Sequence, residues 1–163
     1  MISSGDALKS LAYEASLMPQ EEMLEIGRKK SSLYIGIPRE TEFQEHRVAL
    51  APEAAGQIVA NGHRVVVETN AGEHANFSDQ DYSEAGAEIV LSPEAVYQAD
   101  IILKVTPPSP KEIEMMKYKQ TLFSALQLTV QPENTLRSLM KKKITAIAWD
   151  YIKDEAQIFP IVR

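Results

Sequence analysis

Short apolar runs rich in β-branched residues alternate with helix-like segments along most of the chain. That alternation constrains the fold more than any other feature. Leu33 to Pro38, His63 to Glu68, Ala87 to Val90, Asp100 to Val105, Thr121 to Leu128 and Ile144 to Trp149 read as strands; the core of the second is Val65-Val66-Val67. Between them, Pro52 to Ala60 reads as a helix with proline in its first turn and Asn61-Gly62 closing it. Ser78 caps a second helix that runs out at Gly86, and Ser92-Pro93 opens a third that ends near Ala99. Lys111 to Lys117 and Pro132 to Met140 are the remaining helical segments.

Strands separated by helices of this length are joined as parallel crossovers, because a parallel pair cannot be closed by a tight hairpin. The expected class is α/β: a Rossmann-like, doubly wound, mainly parallel sheet with helices on both faces. Residues 1–30 fall outside this texture and read as an N-terminal helical appendage. Leu8, Leu11, Ala12 and Ala15 share one helical face, Pro19 interrupts, and Met23, Leu24 and Ile26 resume the pattern. Such a helix covers a neighbouring surface or makes an oligomer contact. Residues 31–163 read as the α/β domain, and the apolar tail Phe159-Pro160-Ile161-Val162 reads either as a chain cut short before a further domain or as a linker whose apolar end docks.

Charge and composition remove several function classes. The chain of 163 residues carries 17 Lys and Arg against 23 Asp and Glu, a net charge of −6. Its basic clusters, Arg28-Lys29-Lys30 and Lys141-Lys142-Lys143, each read as a helix end, where cations suit the dipole. That balance argues against nucleic-acid binding. With no cysteine there is no disulfide, thiolate metal site or thiol nucleophile, which fits a cytoplasmic location. No run approaches the roughly 20 apolar residues that span a bilayer, so no membrane partner is expected. His46, His63 and His74 form no pair with metal-ligand spacing on one helix face, and no metal is expected.

In an open parallel sheet, ligands bind beyond the carboxyl ends of the strands. That rule selects Pro38 to Arg47, Lys104 to Pro110 and Leu126 to Pro132. Arg47 could hold a carboxylate in its planar fork of donors. Lys104 ends an apolar strand, where a buried amine must find an anion or lose its proton. Converging, the two would suit a small oxo or amino acid. Alternatively each pairs with a local carboxylate, Glu40, Glu42 and Glu45 being close to Arg47.

The stretch Gly36-Ile37-Pro38-Arg39-Glu40, then Glu45-His46-Arg47-Val48-Ala49-Leu50-Ala51-Pro52, resembles the N-terminal signature of alanine dehydrogenases and of the first domain of nicotinamide nucleotide transhydrogenases. Glu68-Thr69-Asn70-Ala71-Gly72, Phe77-Ser78-Asp79 and Ala99 to Val105 extend the similarity, which covers roughly Tyr34 to Tyr151. The resemblance implies that Arg47 and Lys104 bind the carboxylate and carbonyl side of pyruvate or alanine. It places Gln127, within Phe123-Ser124-Ala125-Leu126-Gln127-Leu128, where alanine dehydrogenases carry a catalytic histidine. An amide donates a hydrogen bond there but does not titrate. The implied cofactor is NAD, held mainly by a domain absent from this chain, since no Gly-x-Gly-x-x-Gly follows any strand and no cofactor-binding residue is expected here. A homo-oligomer is also implied. Two other readings stay open: a transhydrogenase α-type subunit, and a non-catalytic domain that binds small acids.

Overall fold

The computed structural model describes residues 32–155 and 157; the expected helical appendage at 1–30 and the apolar tail at 159–162 lie outside them. Six strands form one sheet: β1 (Tyr34–Ile37), β2 (Arg64–Glu68), β3 (Glu88–Val90), β4 (Ile101–Leu103), β5 (Thr121–Ser124) and β6 (Thr145–Ala148). The order is β3-β2-β1-β4-β5-β6 and every neighbouring pair is parallel, as the crossover argument requires. Five α-helices accompany them among the described residues: α1 (Pro52–Ala60), α2 (Asp79–Glu84), α3 (Pro93–Val96), α4 (Pro110–Met115) and α5 (Glu133–Lys141).

Adjacent residues of a strand face opposite sides of a sheet. Val66 packs with Tyr97, Ile113 and Leu139, from α4, α5 and the end of α3. Its neighbours Val65 and Val67 pack with Ala55 of α1 and Tyr82 of α2. The helices therefore cover both faces, and the β-branched run at 65–67 is buried because it serves two cores at once.

One close approach shows how tightly α3 lies on the sheet. A Cβ placed on Gly36, in the middle of β1, would come within 2.7 Å of the Val96 carbonyl oxygen and 2.9 Å of the Ala99 Cβ. The first obstacle is backbone, which cannot turn aside. Gly36→Ala is expected to lose about 1–3 kcal/mol, the usual range for overpacking. Urea unfolding measures this, and an unchanged midpoint would mean that α3 can withdraw without cost.

Serine caps start three of the helices. Ser78 and Ser109 form reciprocal capping boxes with Asp81 and Glu112, and the Ser92 hydroxyl accepts from the Ala95 N–H. Two expected boundaries shift by three residues or more. α3 stops at Val96 instead of near Ala99, and β5 stops at Ser124 instead of Leu128. The second has a clear cause. Gln127 has φ 48, in the left-handed region, and no strand continues through such a residue. The N–H groups of Leu126 and Gln127 donate to the two Asp150 oxygens, at 3.1 and 2.9 Å, instead of to a neighbouring strand.

Candidate active site at the carboxyl edge of the sheet

The strand order reverses between β1 and β4, so their exit loops diverge and leave a crevice. Glu40, from the β1 loop, fills it. One carboxylate oxygen accepts from the Val105 N–H at 2.6 Å. The other accepts from the Thr106 N–H at 3.3 Å, the Thr106 hydroxyl, and the Lys104 ammonium at 3.0 Å. Lys104 follows directly on β4, and its side chain is 0% exposed. Its second ion pair is with Glu112 of α4, at 2.9 Å.

A buried ammonium needs this compensation, because desolvation of a lone charge costs several kcal/mol. Local geometry supplies the Glu112 side of it. The Ser109 capping box directs the carboxylate back over the helix start, where the Ser109 N–H donates to it at 2.7 Å. Burial pushes the Glu112 carboxyl upward, but the Lys104 charge and the hydrogen bonds from Lys104 and Ser109 outweigh burial and hold it below its ordinary value. The Tyr97 hydroxyl is buried close to Glu112 without a hydrogen bond of full geometry, and burial chiefly raises its pKa. Glu68, ending β2, accepts from the Arg39 N–H at 2.9 Å; burial raises its carboxyl above the ordinary range.

Arg47 has the other arrangement foreseen for it. Its side chain is 72% exposed and grips Glu45 in a two-pronged pair, Nε to Oε1 at 2.8 Å and Nη2 to Oε2 at 2.7 Å. Hydrogen bonding from Arg47, more than simple charge, holds the Glu45 carboxyl down at about 2. The Arg47 guanidinium is itself held above its ordinary value, chiefly by the hydrogen bond to Glu45, with a smaller contribution from the charge of Glu40. A lowered carboxyl stabilises the fold above the ordinary carboxylate pKa, and that contribution is lost as pH falls through the lowered value. The Glu45 carboxyl carbon is therefore expected to titrate near pH 2. In Arg47→Ala it should return toward the ordinary range. An unmoved titration would show that the backbone N–H bonds set the value instead.

Gln127 lines an open cleft of about 520 Å³ together with Thr41, Glu42, Thr106 and Glu112. Thr106 and Glu112 belong to the Lys104 network, so Lys104 lies one hydrogen bond behind this wall. The structure thus brings Lys104 and Gln127 to one place, with Arg47 outside the cleft lining. His63 has a structural task, its Nδ1 accepting from the Leu33 N–H at 3.3 Å. His46 and His74 are exposed and meet edge to face, with ring centroids 5.1 Å apart. Among the described residues no group of three or more His, Cys, Asp or Glu could hold a metal.

The chain has counterparts among known proteins. The family model described as alanine dehydrogenase/PNT, N-terminal domain, matches residues 36–163. The chain belongs to this family.

Within the family, alanine dehydrogenase from Bacillus subtilis strain 168 is 38% identical over 130 residues, covering 80% of this chain and 34% of the relative. Alanine dehydrogenase 2 from Staphylococcus aureus strain USA300 is 38% identical over 128 residues, covering 78% and 34%. A solved L-alanine dehydrogenase superposes with a TM-score of 0.74 at 37% identity, covering 77% of this chain and 35% of that one. The transhydrogenase from Sinorhizobium meliloti superposes with a TM-score of 0.70 at 27% identity, covering 75% and 35%. The chain thus spans about a third of the length of the relatives it matches.

Sequence reasoning named Lys104, Arg47 and Gln127 but assigned no site role to Glu40, Thr106, Glu112 or Asp150. The motif Ser109-Pro110-Lys111-Glu112 carries a legible capping signal that would have aimed Glu112 at the crevice. Asp150 has no such local signal, since its partners lie across β5 and β6.

Proposed function

We propose that the whole protein is an NAD(H)-dependent oxidoreductase of the alanine dehydrogenase type, and that this chain is its substrate-binding domain. The observation that carries this is the 38% identity to alanine dehydrogenase over most of the chain, combined with a lysine at the point where the strand order reverses. In this reading Lys104 and Arg47 hold the carboxylate and carbonyl end of a small oxo acid such as pyruvate, or of alanine. Gln127 donates a hydrogen bond from the cleft wall. NAD supplies hydride transfer when bound, and the part of the protein beyond this domain is its main holder. The domain by itself is then inactive. The same reading makes the protein a cytoplasmic homo-oligomer; among the described residues no helix is long and apolar enough to cross a membrane.

A second reading is favoured by Gln127. A side chain that cannot exchange a proton near neutral pH suits hydride transfer between two nucleotides, which demands no acid–base group. The likeness to the Sinorhizobium meliloti transhydrogenase supports that alternative. One assay separates them. The intact protein is expected to oxidise NADH only when pyruvate and ammonium are both present. Nucleotide-to-nucleotide transfer without them would replace the first reading with the second.

A further inference from the structure

The chain leaves β5 at Ser124 and presents Gln127 to the cleft soon after, and a carboxylate from beyond the next strand holds it on the way. The last sheet-like bond of this exit runs from the Ala125 N–H to the Val105 carbonyl, at 3.1 Å. The following two N–H groups, of Leu126 and Gln127, donate to Asp150 instead, one to each oxygen. Asp150 stands in a 3₁₀ turn (Trp149–Tyr151) directly after β6, which runs beside β5 with Ala148 opposite Ser124. Two successive N–H groups turned to one side make an anion-binding concavity, and here the anion is part of the chain.

This contact bears on the Gln127 side chain. Gln127 has φ 48, a conformation that costs a residue with a Cβ and needs something to hold it. Its carbonyl accepts from the Val130 N–H at 2.9 Å, but a turn fixes the dihedrals of its central residues and leaves φ of its first residue open. Asp150 supplies the missing restraint. Held at its N–H by Asp150 and at its carbonyl by the turn, Gln127 has both flanking peptide planes fixed, and with them the direction of its Cα–Cβ bond. We infer that Asp150 is a positioning residue: acting through the main chain, it aims the Gln127 amide into the cleft, whose lining does not include Asp150 itself. A carboxylate suits the task because it offers two acceptors to two donors. An asparagine offers one, and its NH₂ would face the other N–H. This role deepens the dehydrogenase reading and rests on it for what Gln127 does, though not for where Gln127 stands.

A double-mutant cycle on the intact protein tests this, read by pyruvate-dependent NADH oxidation, with urea unfolding to confirm that each variant is folded. Asp150→Asn is expected to lower kcat/KM about tenfold, within what lost orientation costs. Asp150→Glu restores both oxygens and should recover most of the loss. With Gln127→Ala already in place, Asp150→Asn should cost less than about twofold, because the side chain it aims is gone. An equal loss in both backgrounds would make Asp150 a staple of the fold and overturn the proposal. If Asp150→Asn does not fold, Asp150→Ala, which lets water reach the two N–H groups, carries the same cycle. A crystal structure of the folded variant needs no activity: Gln127 is expected to leave the left-handed region and its amide to leave the cleft wall. Gln127 unmoved in φ, with its amide still in the cleft, would also overturn the proposal. The dehydrogenase reading fails separately. If the unaltered protein oxidises no NADH with pyruvate and ammonium, that reading falls, and the crystal structure still decides what Asp150 does to Gln127. NADH oxidation with no coupling between Asp150 and Gln127 removes only the positioning role.

Discussion

Lys104→Ala is expected to abolish pyruvate-dependent NADH oxidation in the intact protein and to destabilise the fold by about 3–5 kcal/mol, the cost of stranding a buried charge partner. Both effects come from one ammonium. Without it, Glu40 keeps its bonds from Val105 and Thr106, but Glu112 is left with burial and the Ser109 cap alone. The pH dependence should report this. In the unaltered protein the Glu112 carboxyl is held low, so its contribution is present above the ordinary carboxylate pKa and is lost as pH falls through the lowered value. In the variant, burial is the leading influence and protonation relieves it, so the stability deficit shrinks as pH falls. Lys104→Arg separates folding from binding. A planar guanidinium keeps the charge but cannot reproduce a point donor shared between two carboxylates. It should fold and remain inactive. Retained activity in Lys104→Ala would take the lysine out of the site, whatever its effect on urea unfolding.

Gln127→His should raise alanine oxidation by about a hundredfold, at the low end of what general acid–base catalysis contributes. The gained activity should follow a titration near the ordinary histidine value. The backbone favours this exchange. Histidine is among the residues enriched in the left-handed region that Gln127 occupies at φ 48, and the Asp150 clamp acts on main-chain N–H groups, which the substitution leaves in place. Steady-state rates across pH 6 to 9 measure the effect. No gain would favour the transhydrogenase reading, in which the amide needs no replacement.

The α/β class was legible because the strands are short, buried and β-branched, and because Pro52, Ser78, Ser92 and Ser109 mark helix starts within local sequence. Strand order was not legible. Periodicity records which face a residue takes but not which strand lies beside it, so nothing local places β4 next to β1. The overlong β5 shows the same limit: Leu126 and Leu128 continue an alternating pattern past the point where Asp150, distant in the chain, draws the backbone away. At the site, the need of Lys104 for an anion followed from its apolar setting, but the choice of partners did not. Glu40 reads as a neighbour of Arg47 and instead joins Lys104, while Glu45 takes Arg47. Both cations satisfy the bland expectation of a paired charge. Of the two, only Lys104 is buried, at the crevice where the strand order reverses.

The most direct measurement is a structure of the intact protein with an oxo acid bound. Ligand oxygens are expected within hydrogen-bond distance of Lys104 Nζ, at the crevice between β1 and β4. An oxo acid bound away from Lys104 would contradict the dehydrogenase reading and take the lysine out of the site.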